Sequence, residues 1–169
     1  MRKFGMKRAI VGAAIAALAL NAPAAHAASA TGTATAKILR QITLTNTSAL
    51  QYATIISGAT ASTVAVSTSG AATCGAGLTC TGTTTAANFD IQGTNNAVVL
   101  VGGDASVTLN GSLGGTMTST LTYSASSVTL TAGPGTTGGS FQVGGTLSVG
   151  ANQASGDYSG TFNVTANYQ

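Results

Sequence analysis

The sequence has no tryptophan and no glutamate, and its one histidine, His26, lies near the N-terminus. Asp90, Asp104 and Asp157 are its only acidic residues, and they are widely separated. Without a histidine or a paired carboxylate beyond residue 26, the usual general acid–base groups are missing, and no spacing suggests a metal cluster. The reading is therefore not an enzyme, with no cofactor and no metal. Serine and threonine are plentiful but lack a partnering base.

Positive charge is equally scarce. Arg2, Lys3, Lys7 and Arg8 are confined to the first eight residues, which leaves Lys37 and Arg40 for the rest. The basic isoelectric point therefore belongs to the N-terminus, and a nucleic-acid partner has no electrostatic basis. Lys37 reads as a solvated strand-face residue.

Long hydrophobic runs are also missing. The one apolar stretch, Ala9 to Leu20, is shorter than the ~20 residues a bilayer demands. With "MRKFGMKR" before it and "AHAA" after it, it reads as a helical secretory signal peptide, residues 1–27, cleaved after Ala27. No membrane span is expected afterwards, and no cysteine stands at the cleavage point to carry a lipid anchor. The protein is expected to be exported.

With only two cysteines there is no disulfide framework, and C-x-x-C spacing is missing too. Cys74 and Cys80, in "CGAGLTC", are expected to form one small clip in an oxidising compartment.

What is present is Thr, Ser, Gly, Ala and Val, with no 3.6-residue apolar period beyond the signal peptide. Low charge and abundant β-branched residues argue against disorder. Strands are expected at 33–45, 50–56, 62–68, 88–93, 96–102, 105–110, 116–126, 127–132, 139–150 and 157–169. Clusters such as "NGSLGG" and "AGPGTTGG" supply turns. Gly133, Gly135 and Gly138 match a dinucleotide-loop spacing, but a strand pattern follows them where that loop needs a helix, so a hairpin loop is expected. Asn46, Asn110 and Asn163 begin sequons that a Thr- and Ser-rich chain produces by chance.

The two ends alternate most regularly. Ala34, Ala36, Ile38, Ile42 and Leu44 share one face of the first segment, with Arg40 interrupting it, so a bend or bulge is expected at Leu39 to Gln41. Tyr158, Gly160, Phe162, Val164, Ala166 and Tyr168 share one face of the last, which reads as a single half-buried strand.

This terminal strand, with Tyr168 next to last and Gly156 fourteen residues from the end, resembles that of chaperone–usher pilins. Together with "TATAKILRQITLTNTSALQYATIISG" and "TCGAGLTC", it is similar to secreted bacterial domains related to common-pilus (Mat-type) and spore-coat-U-like subunits. The resemblance implies an all-β, immunoglobulin-like (pilin-type) sandwich at residues 46–169. Residues 28–45 would be a donor-strand extension or first strand.

It further implies a surface-fibre subunit built by donor-strand complementation. The partners would be identical or related subunits, a periplasmic chaperone and an outer-membrane usher. Ala34, Ala36, Ile38, Ile42 and Leu44 would be the donor plugs. Gly156, Tyr158, Gly160, Phe162, Val164, Ala166 and Tyr168 would form the strand that borders the groove and meets the chaperone. The alternatives are a self-contained secreted coat or binding module and a small outer-membrane barrel, the latter lacking aromatic girdles.

Overall fold

The computed structural model describes residues 27–133 and 135–169. The expected signal peptide, but for Ala27, and Pro134 lie outside the described residues. The chain divides into two units, 1–36 and 37–169. In the first, residues 27–36 have no regular secondary structure and are exposed.

The second unit is all-β, with no helix among the described residues. Its strands begin with β1 (Thr43–Ser48), β2 (Thr54–Ile56), β3 (Ser62–Val66), β4 (Ala72–Cys74) and β5 (Thr79–Thr81). They continue with β6 (Ala87–Gln92), β7 (Val98–Gly103), β8 (Ser106–Gly111) and β9 (Thr116–Tyr123). The last are β10 (Ser127–Thr129), β11 (Gly139–Val149), β12 (Tyr158–Ser159) and β13 (Val164–Tyr168).

The long strand β11 is the spine of the main sheet. One edge pairs with β9; the other pairs with β6 through residues 139–143 and with β3 through residues 145–149. The sheet runs β1-β6-β11-β9-β8-β12, with β3 and β4 continuing beside the second half of β11. Strand alternation decides which side is apolar: Ala87, Phe89 and Ile91 of β6 are buried, while Asn88, Asp90 and Gln92 face outward.

A smaller sheet, β10-β7-β13, covers the first half of that apolar face. Between the layers lie Phe89, Ile91, Val99, Leu130, Phe141 and Val143. The rings of Phe89 and Phe141 stack with centroids 5.4 Å apart, and Phe162 meets Phe89 edge-on at 6.2 Å. Over the second half, the β2–β5 ribbon covers a separate core of Tyr52, Val64, Val66, Leu147 and Val149. The result is a β-sandwich of two packed layers.

Several expected elements move. The segment expected as a strand at 33–45 becomes regular only at Thr43, so the expected boundary at residue 45/46 falls inside β1. The register shift lies at Asn46/Ser48, not at Leu39–Gln41. Alternation supplies a strand's faces but not its pairing, and before Thr43 no strand partner exists among the described residues.

The terminal run is two strands, because β12 pairs with β8 in the main sheet and β13 with β7 in the smaller one. Between them the backbone crosses Thr108 so closely that a Cβ at Gly160 would strike the Thr108 carbonyl. The Gly133–Gly138 cluster likewise joins strands of different sheets, β10 and β11, and is not a hairpin loop.

Cys74 and Cys80 are bonded, with Cα atoms 6.0 Å apart. Cys74 ends β4, which pairs with β3, whereas Cys80 lies in β5, which pairs with β2. The bond therefore ties the ribbon to the main sheet instead of clipping one hairpin.

Candidate functional site

Among the described residues β1 pairs only with β6 and β13 only with β7, so each leaves one edge unpaired. The two edges approach on one flank of the sandwich, where Leu39–Ile42 and Ala166–Tyr168 line a shallow depression. Along this flank Ile42, Leu44, Phe162, Val164, Ala166 and Tyr168 pack against the first core but remain half-buried.

Backbone geometry gives the β13 edge its polarity. The Asn163 carbonyl accepts from the Asp104 N–H, and the Gln169 N–H donates to the Val98 carbonyl, so odd-numbered residues address β7. Antiparallel pairing then turns the peptide groups of Val164, Ala166 and Tyr168 outward. These same residues direct their side chains to the core. The flank thus combines a row of unpaired peptide groups with an apolar strip, the two requirements for strand addition.

One end of the flank is fastened. The Tyr168 hydroxyl donates to the Arg40 carbonyl at 2.7 Å and accepts from the Thr94 N–H at 2.8 Å. The Arg40 N–H in turn donates to Thr94 Oγ1 at 2.8 Å. Gly93 makes room for this, because a Cβ there would lie 2.5 Å from the Tyr168 hydroxyl and 2.8 Å from Leu130. At the other end Asp104 anchors the entry to β13, its carboxylate accepting from the Asn163 N–H at 2.7 Å. Tyr123 donates to the Asp104 carbonyl at 2.9 Å. Burial, and secondarily the Asp104 charge, raise the Tyr123 phenol above its ordinary value.

The expected donor residues separate. Ile42 and Leu44 are part of the domain's own core. Ile38 is 91% exposed, and Ala34 and Ala36 are exposed in a segment without secondary structure. The expected groove strand separates too. Phe162, Val164, Ala166 and Tyr168 lie on the flank, whereas Gly156, Tyr158 and Gly160 lie on or beside β12. The Tyr158 hydroxyl is engaged there, accepting from Gln153 Nε2 at 2.8 Å and donating to the Ala154 carbonyl at 2.7 Å.

Sequence reasoning passed over Gly93, Thr94 and Asp104, which hold the two ends of the flank. Asp104 had a signal: an isolated carboxylate after "GG" in a chain with almost no charge marks a turn cap. Gly93 and Thr94 had none, since the flank hydrogen-bond partners of Thr94 lie 54 and 74 residues away in the chain and Gly93 is set by the same packing.

The architecture defines an all-β sandwich domain with an open flank between the β1 and β13 edges. Residues 42–168 match DUF4402, a domain of unknown function, and the chain belongs to that family. No curated protein and no solved structure matches it.

Proposed function

We propose that this protein is a non-catalytic structural subunit of a surface fibre, exported behind a signal peptide and completed by a strand donated from a second copy. The observation that carries this reading is the flank between β1 and β13. Two unpaired edges there border one apolar strip whose side chains are half-buried.

The donor is the segment from Ala28 to Ile38, with Ala34, Ala36 and Ile38 facing the acceptor. Ile42 and Leu44 drop out of the donor set because their own domain uses them. Ile38 is the only large plug, worth roughly 1.5–3 kcal/mol when fully buried. Main-chain hydrogen bonds along β13 then contribute a larger share than in a donor with several large plugs. Before assembly the same flank would be held by a periplasmic chaperone and released at an outer-membrane usher.

Expression with the secretion partners, followed by unheated denaturing gels, tests the reading. A ladder of oligomers is expected, collapsing to monomer on boiling and lost when residues 28–38 are deleted or Ile38→Asp is introduced. Monomer alone, unaffected by the deletion, overturns it.

The reading it would yield to is a self-contained secreted module. The pairing of β1 with β6, which places Leu44 in its own sheet, favours that module. Its mark would be a monomer that melts cooperatively without the N-terminal segment. The barrel alternative requires a closed sheet, and both packed sheets here have edges.

A further inference from the structure

The second half of the sandwich contains a cleft that the fibre reading does not use. The β2–β5 ribbon covers this half from one side and the 150–157 connection from the other. They are joined at one end, where the Asn152 N–H donates to the Gly58 carbonyl and the Ser57 hydroxyl to the Gln153 carbonyl, and the cleft lies between them. The opening encloses about 700 Å³, within the range of small-molecule sites. Its floor is apolar, formed by Tyr52, Leu109, Met117, Leu147 and Val149. Leu109 and Met117 are only half-buried, so apolar surface is left uncovered in the floor.

The cleft is held open by its own framework. The Tyr52 hydroxyl hydrogen-bonds Ser119 beneath the floor. Gly145 gives the Tyr52 ring its place, since a Cβ there would collide with the hydroxyl. On the opposite wall Tyr158 is tied to Gln153 and Ala154. Backbone in the left-handed region occurs in one wall at Ala53 (φ 58°) and outside the lining at Asn152 (φ 51°). Asparagine tolerates that conformation; alanine does so at a cost of about 1 kcal/mol, and such strain collects where a site is shaped.

Charge narrows the class of ligand. The Gln153 amide is fully occupied: its Oε1 accepts from the Gly150 N–H, and its Nε2 donates to the Thr116 carbonyl and Tyr158. The lining contains one carboxylate, Asp157, and no cationic side chain. The Asp157 carboxylate has no hydrogen-bond partner among the described residues, its backbone alone being held by Ser112. We propose that this cleft is a binding site for a small molecule with an apolar body and a single cationic head, the body lying on Leu109 and Met117 and the head at Asp157. The proposal is independent of fibre assembly.

The test uses purified protein and chain-matched probes below their micellar concentrations: decylammonium, decanol and decanoate, read from the methyl NMR signals of Met117 and Leu109. Saturable shifts are expected, with decylammonium binding most tightly and decanoate most weakly. Asp157→Asn should bring decylammonium to the decanol level, a loss of about threefold for an exposed charge, with decanol unchanged. Met117→Trp, which fills the floor, should weaken every probe more than tenfold. Ala154→Trp on the exposed rim should do the same if the core variant does not fold. Absence of saturable shifts, binding indifferent to both tryptophans, or decanoate binding as tightly as decylammonium would each overturn the proposal.

Discussion

In the first half of the sandwich Ile91, Val99, Leu130 and Phe141 have no solvent exposure beneath a three-stranded sheet. In the second half a two-stranded ribbon covers a smaller core, and Leu109 and Met117 remain half-covered. The first half is closed by packing over its core and open along the flank where the β1 and β13 edges are unpaired. The second is roofed by too little chain to close, and a disulfide holds the roof in place. One continuous spine, β11, serves both. The lesson is that the two halves open in different ways: the first at strand edges left without partners, the second where a covering element runs short.

The largest effect should come from breaking the closed half at its centre. Phe141→Ala removes the ring stacked on Phe89 and should cost roughly 3–5 kcal/mol in urea unfolding. Leu147→Ala in the second half should fall at the lower end of the ~2–5 kcal/mol range for such truncations, because the neighbouring cleft already lacks packing partners. Equal losses would erase the proposed difference.

Next in size is the roof. Replacing Cys74 and Cys80 by alanine should cost about 2 kcal/mol on the chain-entropy account of a short loop. Because the bond joins β4 to β5, amide exchange should accelerate in β2 and β5 while β6 and β7 stay protected. Acceleration across both halves would show that the roof and the closed core unfold as one.

A pH-dependent contrast comes from Tyr52. Burial, partly offset by its hydrogen bond to Ser119, raises its phenol above the ordinary value of 10.0. The folded state therefore keeps the proton to higher pH than the unfolded chain does. That stabilisation is complete below pH 10 and is lost as pH rises through the raised value. Tyr52→Phe should cost about 1 kcal/mol at neutral pH and flatten the fall in stability above pH 10. A residual slope from Tyr123, raised for a similar reason, should persist.

Much of the closed half was legible in the sequence because it is built from alternation. "NFDIQG", "NAVVLVG" and "GSFQVGGTLSVG" each became a strand. The second half was less so: β4 and β5, three residues each, fall inside "ATCGAGLTCT", where each run is too short for alternation to show. Period also cannot report a change of sheet. Tyr158 to Tyr168 keeps perfect alternation, yet the chain crosses layers at Gly160, which shows only as a glycine until Thr108 is placed against it. Likewise the even positions from Ala34 to Leu44 share a face in sequence, but only Ile42 and Leu44 contact the first core.

The smallest expected effect separates the open flank from the core beneath it. Tyr168→Phe keeps the ring on the first core and removes one hydroxyl. The Arg40 carbonyl then loses a donor it can replace with water, whereas the Thr94 N–H loses its acceptor in a part-buried position. A loss of about 1 kcal/mol is expected, with faster amide exchange at Thr94 and Arg40 and unchanged exchange at Ile91 and Val99. Local loosening of that kind would make Tyr168 a fastener of the flank, setting where the segment before β1 leaves the domain. A global loss would instead make it part of the core, and the flank would then end at Ala166.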